Sequence, residues 1–151
     1  MKRSTMGTSI GIILFSALLG FVQTAQAHEC SLRNVSGSYG YTSTGAIVTP
    51  AVGPFTAVGR VTFTDSGTFT GAQTTSFAGT LVPETISGTY TVNPDCTGSA
   101  TVYVYHGSTL ARTSAIQVVW DLDQSEARAI FLTAGTSISI NARRMSRDAE
   151  D

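Results

Sequence analysis

Thr, Ser and Gly dominate between Ser36 and Ser139, and within short segments of this region apolar residues recur at every second position. A period of two sends alternate side chains to opposite faces of an extended chain. Thr and the aromatics favour half-buried pleated surfaces, whereas Gly and Ser favour turns. No 3.6-residue apolar period longer than two turns runs through this region.

The alternation predicts up to nine strands. Tyr39 and Tyr41 mark a short first strand, followed by a loop from Thr44 to Pro54. Phe55, Ala57, Gly59, Val61 and Phe63 share one face of a second, and Asp65-Ser66-Gly67 is a hairpin-turn signal. The chain returns from Thr68 to about Thr75 as a third. Phe77 to Val82 forms a fourth, ended by Pro83; Ile86, Gly88, Tyr90 and Val92 form a fifth. Past Asn93-Pro94-Asp95, Ala100, Val102 and Val104 alternate with Thr101, Tyr103 and Tyr105 in a sixth. After His106-Gly107-Ser108, Ile116, Val118 and Trp120 define a seventh, and Asp121 to Glu126 is a polar turn. Ala127 to Thr133 is an eighth, and Ile138, Ile140 and Ala142 close a ninth. Charged residues dominate from Arg143 onward.

Eight or nine strands at roughly 8–12-residue spacing indicate an all-β fold, a barrel or a sandwich. Short sequential turns favour a meander, and a meander of this length removes its exposed edges by closing on itself. The expectation is a closed antiparallel meander β-barrel, with a β-sandwich as the alternative. A barrel of eight strands has an interior just wide enough for packed side chains or one small ligand.

The N-terminus has a different pattern. Lys2 and Arg3 precede an apolar run from Ile10 to Val22, and Ala25-Gln26-Ala27 has the small-x-small form of a cleavage site. These three regions in order predict a signal-peptide helix over residues 1–27. The run is shorter than the roughly 20 residues needed to span a bilayer. The domain reading is therefore a leader at 1–27, one barrel domain at 28–144 and a disordered polar tail at 145–151. The expected location is periplasmic or extracellular. No membrane contact is expected after cleavage, and the chain is expected to be a monomer.

Removing residues 1–27 of 151 leaves 124 residues that hold seven arginines, no lysine and all ten acids. The absence of lysine excludes Schiff-base and phosphate-loop lysine chemistry. The acidic balance argues against nucleic acid as a partner. Cys30 and Cys96 are an even pair in an exported chain, which reads as one disulfide.

Three stretches carry a resemblance. They are Cys30 ahead of Gly37-Ser-Tyr-Gly-Tyr41, the Gly59-Arg-Val-Thr-Phe-Thr-Asp-Ser-Gly-Thr-Phe69 hairpin, and Gly88-Thr-Tyr-Thr-Val-Asn-Pro-Asp-Cys-Thr-Gly98. Together they resemble a group of small exported bacterial proteins of uncharacterised function. The resemblance implies a lipocalin-like or allene-oxide-cyclase-like barrel and brings no catalytic residue with it. The Gly-x-Trp signature of true lipocalins is replaced here by Gly37-Ser38-Tyr39.

Familiar catalytic constellations are missing from the sequence. Gly-x-Ser-x-Gly does not occur, and the acids fall almost entirely in turns and termini. Cleavage after Ala27 would make His28 an N-terminal imidazole, and His106 is the other histidine. With Cys30 bonded to Cys96, however, the two would lie about 33 Å apart along the sixth strand, too far to share one metal. Asp121, Asp123 and Glu126 lack the glycine-centred pattern of a calcium loop and read as a solvated turn. No metal and no cofactor are expected.

The aromatics are the remaining lead. Tyr39, Tyr41, Tyr90, Tyr103, Tyr105, Trp120 and Phe131 all fall in strands and are the candidate ligand-binding residues. The favoured reading is a non-catalytic binding module for a small apolar or aromatic ligand. A cyclase or isomerase of the allene-oxide-cyclase kind is an alternative, and it needs a polar group inside the barrel, with Glu84 and Asn141 as candidates. A structural or surface-interaction protein of the cell envelope is a second alternative.

Overall fold

Eight antiparallel strands, each hydrogen-bonded to its sequence neighbour, close into one barrel when the last pairs with the first. The computed structural model describes residues 29–145, so the leader, His28 and the end of the tail lie outside the described residues. The strands are β1 (Gly37–Ile47), β2 (Gly53–Phe63), β3 (Thr68–Phe77), β4 (Thr80–Tyr90), β5 (Thr97–His106), β6 (Thr109–Trp120), β7 (Glu126–Phe131) and β8 (Thr136–Arg144). A four-residue helix, α1 (Leu32–Val35), precedes them.

The nine expected segments resolve to eight because the fourth and fifth are one strand. The chain turns at Ala78-Gly79, where both residues have positive φ (48° and 88°). This is the backbone twist that joins two strands through a two-residue loop. Pro83 therefore lies inside β4 rather than ending a strand. It pairs with Thr74 of β3, while pairing with β5 begins only at Thr85. On that side β4 is locally an edge, where a residue without an N–H is tolerated.

The expected loop from Thr44 to Pro54 shrinks to residues 48–52, because β1 and β2 pair all the way to Ile47 and Gly53. Pro54 is the second residue of β2, paired with Ala46. β8 runs through Arg143 and Arg144, although charged residues already dominate the sequence from Arg143.

The alternation read from the sequence is the inside–outside alternation of the barrel. Small inward residues make room for large ones. A Cβ on Gly88 would lie 2.5 Å from the Phe69 ring and 2.0 Å from the Thr101 carbonyl oxygen. Phe63 packs against Tyr39, Phe69 and Tyr90, with ring centroids 4.8–5.6 Å apart.

The two ends of the barrel differ. At one end α1, capped by the Ser31 hydroxyl, lays the fully buried Val35 against the core. The Cys30–Cys96 disulfide joins this plug to the β4–β5 loop. Arg144 ties it to β8, donating to the carbonyls of Asn34, Ser36 and Gln124 and to the Tyr39 hydroxyl. At the other end are the β1–β2, β3–β4, β5–β6 and β7–β8 connections. There a second apolar cluster, Phe55, Ala57 and Ile138 with Ile47 and Phe131, fills the side formed by β1, β2, β7 and β8.

Candidate functional site in the barrel interior

A cavity of about 90 Å³ lies inside the barrel. It is of the order of the ~150 Å³ apolar cavity that admits one benzene. Val61, Phe69, Ile86, Val104, Val118 and Ile140 are among its walls, and Ala100, Ala127, Ala129 and Ala142 leave the space open. The lining is apolar except at Ser43 and at two further places.

The first is a chain of polar side chains on β1, β3, β4, β5 and β6. Glu84 is its centre, with a side chain only 1% exposed. Arg112 donates to both carboxylate oxygens, at 2.5 Å and 2.7 Å. His106 Nε2 donates to Oε1 at 2.9 Å, and Gln73 Nε2 donates to Oε2 at 2.6 Å. The Tyr41 hydroxyl in turn donates to Gln73 Oε1 at 2.6 Å. Each carboxylate oxygen thus accepts two hydrogen bonds, which uses its acceptor capacity.

Burial pushes the Glu84 carboxyl up, but hydrogen bonds from Arg112, His106 and Gln73, with the Arg112 charge, outweigh it. The carboxyl is held below its ordinary value and stays ionised. Burial, reinforced by the Glu84 charge, pushes the Tyr41 phenol well above its ordinary value, so it remains a neutral donor. The ion pair is balanced and the network saturated.

The second polar place is Trp120. The residue is 2% exposed and lines the cavity, yet its indole Nε1–H has no hydrogen-bond partner among the described residues. A buried donor left unpaired costs about 1–3 kcal/mol.

The candidate aromatics separate by position. Tyr41, Trp120 and Phe131 line the cavity. Tyr39 and Tyr90 are buried at the plugged end. The Tyr39 hydroxyl donates to main-chain carbonyl oxygen there and accepts from Arg144. The Tyr90 hydroxyl reaches the Thr64 carbonyl at 2.5 Å, and burial together with the Tyr39 and Asp65 charges pushes it up to about 12. Tyr103 and Tyr105 are half-buried and alternate with the cavity-lining Val102 and Val104, so they belong to the outer face of β5. Of the two polar candidates for catalysis, Glu84 is inside and Asn141 is exposed. Asp123 Oδ1 accepts from the Ser125 amide, a local turn contact.

No motif singles out Gln73 or Arg112, yet parity marks them. Gln73 is in phase with Phe69, and Arg112 with Ile116, Val118 and Trp120. A polar residue on the apolar phase of a strand is the signal that finds both. Comparison of the chain with protein-family models, with curated proteins and with solved structures finds no match.

Proposed function

We propose that this protein is a non-catalytic binding module that holds one small, neutral, mainly apolar ligand inside the barrel. The ligand carries a hydrogen-bond acceptor, such as a carbonyl oxygen, that takes the Trp120 indole N–H. The observations that support the reading are a mainly apolar cavity with Trp120 in its wall and, in the same residue, a buried indole N–H without a partner among the described residues. A charged ligand is disfavoured, because Glu84 and Arg112 already neutralise one another and desolvating a further charge is costly. This is the kind of interior that the resemblance to lipocalin-like barrels implies.

The cyclase or isomerase reading finds a handle in the inward Glu84. A general base, however, needs a free lone pair and a pKa near the working pH. Glu84 has four donors and a lowered pKa. Binding is therefore favoured over proton transfer.

Trp120 is the single tryptophan of the chain, so one indole N–H resonance reports the site. Titration with cyclohexanone should shift that resonance downfield and saturate. Cyclohexane should give no such downfield shift, and cyclohexanecarboxylate should leave the resonance in place. Trp120→Phe should weaken cyclohexanone binding about 5–10-fold, the worth of one net hydrogen bond. An indole resonance unmoved by cyclohexanone would remove this reading.

A further inference from the structure

The rim of the barrel opposite the disulfide carries five of the ten large apolar side chains exposed among the described residues. Each of its four connections exposes a large apolar side chain: Val48 and Val52 between β1 and β2, Leu81 after the β3–β4 turn, Leu110 after the β5–β6 turn, and Leu132 after β7. Their exposures run from 51% to 77%. Large apolar side chains are exposed elsewhere too, at Val58, Val119, Leu122, Ile130 and Met145, but only this rim carries one at each of its four connections, and such a ring marks a contact surface.

Charge is segregated the same way. Residues 44–55, 76–83, 106–112 and 131–138 contain no carboxylate, and their one permanent charge, Arg112, is bound to buried Glu84. Every other carboxylate among the described residues (Glu29, Asp65, Asp95, Asp121, Asp123 and Glu126) lies at the disulfide end. Just below the rim, on the outer face, Tyr105 pairs with Leu110. A tyrosine at that height, with an apolar body and a polar tip, suits the boundary between hydrocarbon and water.

We propose that this rim docks on the surface of a lipid bilayer, with the four apolar tips in the interfacial layer and the acid-rich end directed to solvent. Four separate tips around a ring match a deformable lipid surface better than one rigid protein face. An anionic headgroup layer would repel the carboxylate end and so select this orientation. Because the rim has no free cationic cluster, attachment comes from apolar burial rather than from attraction to anionic lipid. This departs from the sequence-based expectation of no membrane contact, which rested on the N-terminal run and not on the barrel surface. It is independent of the cavity reading, so Trp120→Phe should leave it unchanged.

Vesicle flotation tests the proposal. The wild-type protein should float with phosphatidylcholine vesicles and with mixed phosphatidylethanolamine–phosphatidylglycerol vesicles, and salt should weaken it little. Leu81→Ser with Leu132→Ser should reduce the bound fraction about tenfold or more. Leu122→Ser, at an exposed leucine of the acidic end, should bind as wild type. An unchanged denaturation midpoint certifies that each variant is folded. A wild-type protein that stays in the soluble fraction would overturn the proposal. So would equal losses from rim and Leu122 variants, or flotation that needs phosphatidylglycerol and vanishes in salt. A concentration-dependent dimer dissolved by the rim variants would instead assign the rim to a second copy of this chain.

Discussion

Glu84 is the residue on which the interior chemistry turns. A carboxylate with its side chain 1% exposed survives ionised only because Arg112, His106 and Gln73 surround it. Removing one partner leaves charge without compensation. Arg112→Ala should cost about 2–3 kcal/mol, less than a fully buried pair because the Arg112 side chain is 36% exposed and two other donors remain. Replacing both residues together by Met should recover much of that loss in urea denaturation, since no orphan charge is then left. The pH dependence has the matching sign. The folded carboxyl is depressed relative to the unfolded chain. Its stabilisation is complete above about 4.3, the ordinary glutamate value, and is lost as pH falls through the folded pKa. Glu84→Gln should flatten that acid limb; an unchanged limb would show that other carboxylates set it.

At the scale of elements, the plugged end is held by covalent and polar ties. α1 is four residues long, too short to be stable by itself. It persists because Cys30 is bonded to Cys96, 66 residues on, and because Arg144 gathers its final carbonyls. Cross-linking a loop of that length stabilises a fold by about 4 kcal/mol on the chain-entropy view. Cys30→Ser with Cys96→Ser should lower the unfolding free energy by about 3–4 kcal/mol, read from the guanidinium midpoint. The same ties explain why Arg143 and Arg144 are ordered. In sequence they look like the start of a charged tail; in the fold, β8 must reach Arg144 to pair with Tyr39 of β1 and close the barrel.

For the molecule as a whole, closure creates an inside that no single strand possesses. Side chains from all eight strands share it, and small residues such as Ala129 keep its centre open. Ala129→Leu should fill much of the 90 Å³ space and abolish the cyclohexanone response of the indole resonance while leaving stability within about 1–3 kcal/mol of wild type. Retained binding with an unchanged response would put the ligand elsewhere. Closure also sorts the connections. Alternate turns fall at alternate ends, so the carboxylates of the β2–β3, β4–β5 and β6–β7 turns gather at one pole and the apolar tips at the other.

The period-two alternation, the turn residues and the cysteine pair were enough to determine an all-β meander and its disulfide. Those signals are local, or follow from pleat geometry alone. Even the inward phase of Gln73, Glu84 and Arg112 was written in the alternation. The boundaries were not, because Pro83 ends a central strand but is tolerated where β4 lacks a neighbour, and that vacancy depends on where β5 begins. Nor could alternation say which strands bring their inward side chains to the same height in the barrel, because a slip of register along one strand changes every cross-strand neighbour. Only pairing around the whole cylinder fixed that register. With it came the meeting of Glu84, Arg112 and His106 and the unpaired indole, contacts between residues far apart in the chain.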